Sequence, residues 1–322
     1  MRAITVREYG GPEVLRVDDA PDVVPRAGEI VVRQQASSVN PLDWHTMRGT
    51  PFLVRVGRGL RRPTRPVLGS DISGVVDAVG PGVERWRVGD PVLGFGIAAW
   101  AERVVVKADG VVSRPAGLDP VDAGGVGIAG ITALQALTRA GAERGQRILV
   151  NGASGGVGTF AVQIGKLLGA HVTATTSARN LALVARIGAD DVIDYTVDDV
   201  VSGLPRFDAV IDLVGDRRIG ELRRVLRPEG ALVRCGDPGG LWIRPVAAVA
   251  GAVITDRLVT HRIIPLLATR DQADLQRLAD WLGTTALRVV VDRVVPLSEV
   301  AEAVAHVESR RARGKVLLAV DR

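Results

Sequence analysis

The sequence predicts a two-domain α/β protein, in which a mostly antiparallel β domain is joined to an open, doubly wound parallel sheet. Three observations support this fold class. The chain has 322 residues, more than the ~100 to 200 of a typical single domain. Its first third contains short β-rich runs between Gly and Pro turns, and its middle alternates strand patterns with helix patterns. We therefore expect two hydrophobic cores.

The first domain is predicted over residues 1–118. Its β-rich runs include "EIVVRQQASSV", "ISGVVDAVG" and "WAERVVVKA", and turn signals such as "GPGV" and "VGDP" separate them. Short strands joined by tight turns are typical of antiparallel pairing. This region therefore indicates a compact, mostly antiparallel β domain.

The second domain is predicted over residues 119–288. After the helix pattern "AGGVGIAGITALQALTRAG", the strand patterns are "RILVN", "HVTATT", "DDVID", "FDAVIDLVG" and "GALVRCG". Helix patterns such as "NLALVARIG" and "IGELRRVLR" lie between them, which is typical of a parallel sheet with crossover helices. Residues 289–322 predict a strand, a helix that Ser298 opens and a final strand, which form a third segment.

Composition excludes several classes of protein. The single cysteine, Cys235, leaves no internal disulfide and no multi-cysteine zinc site. We interpret it as a buried apolar residue, and the absence of disulfides fits a reducing cytoplasm. The N-terminal residues lack the apolar core of a signal peptide, and no apolar run reaches the ~20 residues of a membrane span.

The net charge of +5 raises the possibility of nucleic-acid binding. The basic residues are spread along the chain among 36 acidic ones, and aromatic residues make up only 3% of the sequence. Because few aromatic rings are present for base stacking, we expect no nucleic-acid partner.

The most informative stretch is "NGASGGVG", which begins at Asn151 and lies between a strand and a helix. A glycine-rich turn at that place lets main-chain N–H groups approach an anion, and the helix dipole adds positive potential. A triphosphate-binding loop is disfavoured because Thr159 stands where a lysine is required. The turn predicts a dinucleotide, although its glycines could instead serve tight packing alone. The expected contacts are Gly152, Ala153, Ser154, Gly155, Gly156 and Val157.

The end of the next strand bears on which dinucleotide binds. It reads "TATTSARN" and contains no acid for a free ribose 2′-hydroxyl. Ser177 and Arg179 suit a 2′-phosphate, because a guanidinium makes paired, charge-assisted hydrogen bonds to phosphate oxygens. The alternative is that Ser177 caps a helix and Arg179 is solvated. We predict NADPH as the cofactor.

With these motifs the chain resembles the medium-chain dehydrogenase/reductase superfamily, and within it the zinc-independent quinone oxidoreductase branch. The resemblance covers almost the whole chain and rests on "NPLDWHTMRG", "LGSDISGVVDAVGPGVERWRVGDPV", "GITALQAL", "GADDVIDY", "DLVG" and "RGKVLL" in this order. It implies a Rossmann domain inserted into a GroES-like domain, which the C-terminal strand and helix complete. It also implies an active site in a cleft and a homodimer.

The chain departs from the zinc alcohol dehydrogenases at their metal ligands. Asn40 stands at the position of a cysteine ligand, and Gly69, Ser70 and Asp71 replace a Gly-His-Glu motif. An amide and a hydroxyl are poor zinc ligands, so we predict no metal. Without a Lewis acid the acceptor must already be electron-poor, such as a quinone or an α,β-unsaturated carbonyl. The alternative is an NADPH-binding redox sensor or structural protein with little activity.

The candidate catalytic residues are Asn40, Asp43 and His45. His45 stands where relatives carry other hydrogen-bond donors, and a histidine ring can both donate a hydrogen bond and deliver a proton, so it could protonate the product. The alternative is a histidine that only bonds to Asp43 or to the loop backbone. The resemblance also implies cofactor contacts from Asn40 and from Thr132, Tyr195, Val214, Gly215, Gly236 and Lys315. For Tyr195 and Lys315 the implied contact is with the adenosine phosphate. The alternatives are that Tyr195 packs at a strand end and that Lys315 is an ordinary surface charge.

A basic segment follows these residues, from Gly49 to Pro66, with arginines at positions 55, 58, 61, 62 and 65. It is the part least typical of the family. It could form a lid over the cleft or a contact with an acidic partner or a membrane surface. A solvated basic loop is the alternative.

Overall fold

The protein is described by a computed structural model, which covers residues 1–199, 201, 206–235 and 260–320. The chain divides into two compact units. The first unit is formed by Met1–Ile131 and Thr269–Arg322, and the second unit is Thr132–Ala268. Each has its own sheet and core.

Fifteen strands and eight α-helices are found in the described residues, with several single turns of 3₁₀ helix between them. The strands are β1 (Arg2–Val6), β2 (Leu15–Asp19), β3 (Glu29–Ser38), β4 (Asp71–Val79), β5 (Pro91–Phe95), β6 (Arg103–Lys107), β7 (Val111–Ser113), β8 (Arg147–Asn151), β9 (His171–Thr176), β10 (Asp191–Asp194), β11 (Phe207–Asp212), β12 (Leu226–Arg234), β13 (Arg262–Pro265), β14 (Val291–Pro296) and β15 (Lys315–Ala319). The helices are α1 (Pro41–Arg48), α2 (Pro120–Ala123), α3 (Gly127–Ala140), α4 (Gly156–Leu167), α5 (Leu181–Arg186), α6 (Ile219–Arg223), α7 (Gln272–Gly283) and α8 (Val300–Glu308).

The first unit contains a seven-stranded sheet with the order β14-β15-β3-β4-β5-β7, and β6 pairs with the first half of β3. All its pairs are antiparallel except β14 with β15. The C-terminal strand β15 lies beside β3, so the last part of the chain completes this domain. The predicted GroES-like architecture is confirmed.

The second unit contains a six-stranded, entirely parallel sheet with the order β10-β9-β8-β11-β12-β13. The order reverses between β8 and β11. The carboxyl ends of those two strands therefore flank the point where doubly wound sheets bind ligands. The predicted Rossmann domain is confirmed.

The unit boundaries lie elsewhere than the sequence suggests. Residues 119–131 and 269–288 belong to the first unit, although their helical pattern was assigned to the nucleotide-binding domain. The main-chain N–H of Ile128 donates to Asp71 at 2.7 Å, and α7 packs against β7. Tertiary contacts of this kind leave no trace in the helical period.

Three element boundaries also differ from the sequence patterns. The helix predicted from residue 123 is divided into α2 and α3. The strand β12 begins at Leu226, inside the predicted helix "IGELRRVLR", because pairing with β11 outweighs local propensity. Ser298 lies in a 3₁₀ turn, and α8 begins at Val300.

Candidate active site

Helix α1 begins with the motif "NPLDWHTMRG" and presents one face to the interior of the first unit. Asn40 is the N-cap, Pro41 occupies the first turn, and the Asp43 carboxylate accepts the Asn40 main-chain N–H at 2.8 Å. This arrangement satisfies an N-terminal donor of the helix. Asp43 and Met47 are one turn apart, and both are buried. The local sequence thus fixes Asp43 on the inward face of α1.

Asp71, the first residue of β4, is the centre of a buried polar cluster. Its side chain is 0% exposed and accepts hydrogen bonds from the Ser38 hydroxyl, from Asn40 Nδ2 at 3.0 Å and from the Ile128 N–H at 2.7 Å. Lys315 Nζ lies 3.4 Å from the same carboxylate and donates to Asn40 Oδ1 at 2.7 Å. The buried charge is therefore paired and fully hydrogen-bonded.

The cluster gives Lys315 an unexpected location. The sequence left open whether this lysine contacts the adenosine phosphate or is an ordinary surface charge. Its side chain is 3% exposed and is held between Asn40 and Asp71. The surface-charge alternative is wrong, and a contact with the cofactor stays a prediction.

Asp43 differs from Asp71 because none of the described residues places a cation in direct contact with it. Ser70 donates to its Oδ1 at 3.1 Å, and the Asn40 N–H is bonded to its Oδ2. Burial raises the pKa of Asp43 to about 7, the negative charge of Asp71 adds to the increase, and the two hydrogen bonds and the Lys315 charge oppose it. At neutral pH this carboxyl group can therefore give or take a proton.

Asp43 and Ser70 also line a cleft of the first unit that has a volume of about 380 Å³. The other lining residues include apolar and aromatic side chains and three arginines that are exposed to solvent. An apolar pocket with a few convergent polar groups is the usual form of a small-molecule site. Its lining includes Tyr9, Leu42, Thr46, Arg58, Arg65, Leu68, Phe95, Ile97, Ile128 and Arg270.

His45 has a different environment. Its Nδ1 donates to the Thr50 carbonyl at 2.8 Å, and its ring stacks on Trp44 with the centroids 3.6 Å apart. The described lining of the cleft takes Leu42, Asp43 and Thr46 from α1 but not His45. The geometry matches a histidine bonded to the loop backbone, and a catalytic role for His45 stays a prediction.

In the second unit, the glycine turn lies at the carboxyl end of β8. Gly152 has a φ of +88°, which favours glycine, and a side chain on Gly158 would collide with the Gly152 carbonyl. The nearest atom to a Cβ on Gly155 is 3.7 Å away, so this side of the turn is open. Ala153 is buried, and its N–H donates to Thr175. Gly156 and Val157 are the first residues of α4.

A second buried aspartate fixes the loop that follows β11. Asp212 accepts from Asn151 Nδ2 at 2.9 Å and from Arg234 Nε at 3.1 Å, and its Oδ1 accepts the N–H groups of Val214 and Gly215. Through these hydrogen bonds, Asp212 connects the carboxyl ends of β8, β11 and β12 with the loop after β11. Val214 and Gly215 thus lie beside the glycine turn, since a Cβ on Gly152 would contact Val214.

The two residues that the sequence predicts to contact a 2′-phosphate, Ser177 and Arg179, follow the end of β9. Ser177 is the N-cap of a 3₁₀ turn, but its side chain makes no capping hydrogen bond, and Arg179 is exposed. Asn180 connects this end to the glycine turn, because its Nδ2 donates to Ser154 Oγ at 3.0 Å. The exposed Tyr195 bonds through its N–H to Thr176.

Two buried polar atoms at this edge have no hydrogen-bond partner among the described residues, namely Thr176 Oγ1 and Asn180 Oδ1. Buried polar atoms are normally satisfied, so this edge has capacity for a polar ligand. Together with the open side of Gly155, this capacity fits the phosphate and ribose groups of a dinucleotide.

Two further predicted cofactor contacts remain. Thr132 is half-buried in α3, and Gly236 lies outside the described residues.

Sequence reasoning missed four of these residues as functional groups. Asp71 and Ser70 were noted only as replacements for zinc ligands, and Asn180 and Asp212 were not singled out. A partial signal was present, because Asn151, Asp212 and Arg234 lie at or near the ends of three strand patterns, and they are the last residues of β8, β11 and β12. Polar residues at the carboxyl ends of parallel strands are expected near a ligand.

Cys235, interpreted from the sequence as a buried apolar residue, is not fully buried in the structure. It is half-buried, and burial, together with the negative charge of Asp212, raises the pKa of its thiol to about 12. The thiolate needed for redox chemistry is therefore scarce at neutral pH.

None of the helices in the described residues is long and apolar enough to cross a bilayer.

The two sheets and the glycine turn define a class of oxidoreductases with GroES-like and Rossmann domains. A family model described as "alcohol dehydrogenase GroES-like domain" matches residues 26–116, and one described as "zinc-binding dehydrogenase" matches residues 187–318.

Known relatives match over the whole chain. The chloroplast envelope quinone oxidoreductase homolog of Arabidopsis thaliana is 31% identical, over 99% of this chain and 98% of that protein. The human mitochondrial NAD(P)H oxidoreductase RTN4IP1 is 31% identical, over 99% of this chain and 89% of that protein. The structure of the quinone oxidoreductase from Coxiella burnetii superposes with a TM-score of 0.88 at 30% identity, over 100% and 99% of the two chains. The chain belongs to the quinone oxidoreductase branch of the medium-chain dehydrogenase/reductase superfamily.

One matching family is described as zinc-binding, but the residues of this chain do not suit a zinc ion. Where zinc ligands are expected, Asn40 offers an amide, Ser70 offers a hydroxyl bonded to Asp43, and Asp71 is already paired with Lys315. Within the described ranges, no three His, Cys, Asp or Glu side chains are grouped to hold a metal ion. Zinc prefers thiolate, imidazole and free carboxylate ligands, so this donor set does not match it.

Proposed function

We propose that the protein is an NADPH-dependent oxidoreductase that reduces quinones or the activated C=C bond of α,β-unsaturated carbonyl compounds without a metal ion. One observation carries the proposal. Asp43 and Ser70 line the cleft and carry the exchangeable protons, while the positive charge that stabilises the adjoining buried Asp71 is the ammonium group of Lys315.

The cofactor's phosphates are assigned to the open side of the turn from Gly152 to Gly156 and the first turn of α4. Val214, Gly215 and Tyr195 lie at the same sheet edge. Ser177 and Arg179 support NADPH, because no acid ends β9 to bind a free 2′-hydroxyl. The bound reduced nicotinamide would supply a hydride. Asn40, Thr132, Gly236 and Lys315 remain proposed contacts.

The acceptor is assigned to the cleft of the first unit. Reduction of an enone or quinone leaves negative charge on its oxygen, and a hydroxyl or a neutral carboxyl group can stabilise that charge by donating a hydrogen bond. Ser70 reaches both the cleft and Asp43. We propose that Asp43 gives its proton to the reduced acceptor directly or through the Ser70 hydroxyl, and that water restores it.

The first experiment measures NADPH oxidation after exhaustive chelation, with quinones, enones, simple ketones and alcohol/NADP⁺ pairs. We expect turnover of quinones or enones only, at the same rate before and after chelation. Loss of activity on chelation that zinc restores would overturn the metal-free mechanism.

The same assay separates the alternative function. Saturable NADPH binding without turnover of any acceptor would favour a redox sensor or structural protein. The unreactive Cys235 gives such a sensor no thiol for its chemistry.

A second experiment tests the proton donor with Asp43→Asn, Ser70→Ala and His45→Phe. An acid catalyst contributes ~10² to 10⁴ in rate, so Asp43→Asn should lower kcat by about 100-fold. Since the acidic form is required, the wild-type rate should fall above about pH 7, and this inflection should vanish in Asp43→Asn. His45→Phe should keep both the rate and the inflection, and the reverse result would assign the proton to His45.

A third experiment tests cofactor choice. Arg179→Gln should raise the KM for NADPH about tenfold or more and leave that for NADH nearly constant, because one charge-assisted contact to phosphate is lost. Arg186→Gln is the matched control, since Arg186 is an exposed arginine at the end of the adjoining helix α5. Equal losses with both cofactors would contradict the assignment.

Cytoplasmic location, a homodimer and the absence of a nucleic-acid partner also remain proposals. Sedimentation equilibrium tests the dimer, and a nucleic-acid retention assay over a range of salt concentrations tests the last point, since phosphate binding is strongly salt-dependent.

A further inference from the structure

Three arginines border the cleft that holds Asp43 and Ser70. Arg58 and Arg65 come from the basic segment Gly49 to Pro66, and Arg270 precedes α7. All three are exposed enough to meet a ligand in water. Although Arg58 and Arg270 are 212 positions apart in the numbering, all three arginines line one cleft.

Two of the three side chains are held toward the cleft. Arg58 Nη1 donates to Thr46 Oγ1 at 2.6 Å, and Thr46 lines the cleft. The Arg270 guanidinium lies over the ring of Phe95, 5.0 Å from its centroid, and Phe95 is another wall residue. A guanidinium stacked on an aromatic ring keeps its N–H groups free at the edge. These contacts orient the charges without neutralising them.

The arginines of the cleft have no acid in direct contact within the described part of the chain, although Asp109 acts on Arg270 at longer range. Asp43 is the only acid in the described lining, and none of the three arginines lies within 4.0 Å of a carboxylate oxygen in the described residues. Burial lowers the pKa of Arg270, the positive charge of Arg65 adds to the decrease, and Asp109 opposes it. Two guanidinium groups that repel each other would both gain from an anion between them.

Several other arginines of the chain have acidic partners. Arg48 pairs with Glu308, Arg103 with Asp77, and Arg234 with Asp212. The cleft instead brings three arginines together without a contacting acid in the described residues. Arginine is the side chain best suited to bind planar oxyanions through paired hydrogen bonds.

We propose that the acceptor carries an oxyanion, such as a carboxylate, sulfonate or phosphate, that binds Arg65 and Arg270 at the opening while its reducible carbonyl reaches Asp43 and Ser70. This inference rests on the proposed function and names its substrate class. Arg58 contributes long-range attraction and one side of the opening. Neutral quinones bind in the same cleft with lower affinity.

A phosphate of the cofactor is the other source of such an anion. The two sources predict different kinetics. If the acceptor supplies the anion, charge removal raises the KM of the acceptor. If the cofactor supplies it, the KM for NADPH rises instead.

The test compares naphthoquinone sulfonate with unsubstituted naphthoquinone in the wild type, in Arg65→Gln, in Arg270→Gln and in the double variant. Arg62→Gln is the matched control, because Arg62 is an exposed arginine of the same segment outside the described lining. The double variant should lose about 10- to 100-fold of the preference for the sulfonate, the range of charged hydrogen bonds. The control should keep that preference, and added salt should reduce it only where both arginines are present.

A binding arm keeps the inference separate from turnover. Calorimetry with naphthalene sulfonate and naphthalene methanol, neither of which is reducible, should show tighter binding of the sulfonate and loss of that difference in the double variant. If no acceptor is turned over but this difference is found, the proposed function fails and the anion site stands. Equal binding of the two compounds, or a rise in the KM for NADPH without a change in sulfonate preference, would overturn the inference.

Discussion

Asp71 in the first unit and Asp212 in the second are both fully buried, and each has an asparagine, a basic side chain and main-chain N–H groups as partners. The partners are Asn40, Lys315 and Ile128 for Asp71, and Asn151, Arg234, Val214 and Gly215 for Asp212. The basic groups differ. Lys315 is 3% exposed, whereas Arg234 is 10% exposed and also donates to two carbonyl groups.

This difference teaches how each unit uses a buried charge. Arg234 joins strand ends and loop carbonyls, so the Asp212 cluster shapes a loop beside the glycine turn. Lys315 binds Asn40, whose N–H in turn bonds to Asp43. The Asp71 cluster therefore supports a third carboxyl group, that of Asp43, which among the described residues has two donors and no cation in contact. That third group is the one whose pKa reaches about 7.

The largest effect should come from breaking the Asp71 cluster. Lys315→Met leaves the buried Asp71 without its cation and should lower the free energy of unfolding by about 3 to 5 kcal/mol. Denaturant unfolding measures it. The double variant with Asp71→Asn should recover much of the loss, because the uncompensated charge is then gone. A loss below about 1 kcal/mol in the single variant would contradict the pairing.

The second-largest effect is expected in the pH dependence of stability, because Asp43 titrates at different pH values in the folded and unfolded states. Its folded pKa of about 7 exceeds the ordinary value of 3.8, so the folded state binds more protons between these values. Stability from this group therefore falls as pH rises, by about 2 to 3 kcal/mol from about pH 5 to about pH 8. Unfolding at several pH values measures it, and Asp43→Asn should remove this component. A slope common to both proteins would place the titration elsewhere.

Breaking the Asp212 cluster should cost less than breaking the Asp71 cluster. Arg234→Met removes one charged partner, but Asn151 and two N–H groups still satisfy Asp212, so we expect a loss of about 2 kcal/mol. Comparison with Lys315→Met under the same denaturant gives the ranking. A larger loss in Arg234→Met would reverse the comparison of the two clusters.

The smallest effect on stability is expected for Asn180→Ala, because this residue connects two loop segments rather than a buried charge. The free energy of unfolding should change by no more than about 1 kcal/mol. NADPH binding should nevertheless weaken severalfold, since Asn180 holds Ser154 against the end of β9. Fluorescence titration measures the binding, and an unchanged affinity would leave Asn180 a structural residue.

Much of the site was predictable wherever local sequence controls position. The glycine turn lies between a strand and a helix as its pattern requires, and Asn40 and Asp43 are fixed by the start of α1. His45 was the most suggestive single residue by its chemistry, yet it bonds to the Thr50 carbonyl. Its neighbour Asp43 is the better-placed acid, because only burial in the folded state gives an aspartate a pKa near neutrality.

The sequence by itself determined the two-domain α/β architecture, the glycine turn and the polar residues at strand ends, because strand and helix periods and glycine conformations are local properties. Only the tertiary structure decided that Lys315 contacts Asn40 and Asp71 and that the first turn of α3 donates a hydrogen bond to Asp71. It also decided that Arg65 and Arg270 line the same cleft. These contacts join residues far apart in the chain. Their energies depend on removal from water and on the distances between charges, neither of which a linear sequence contains.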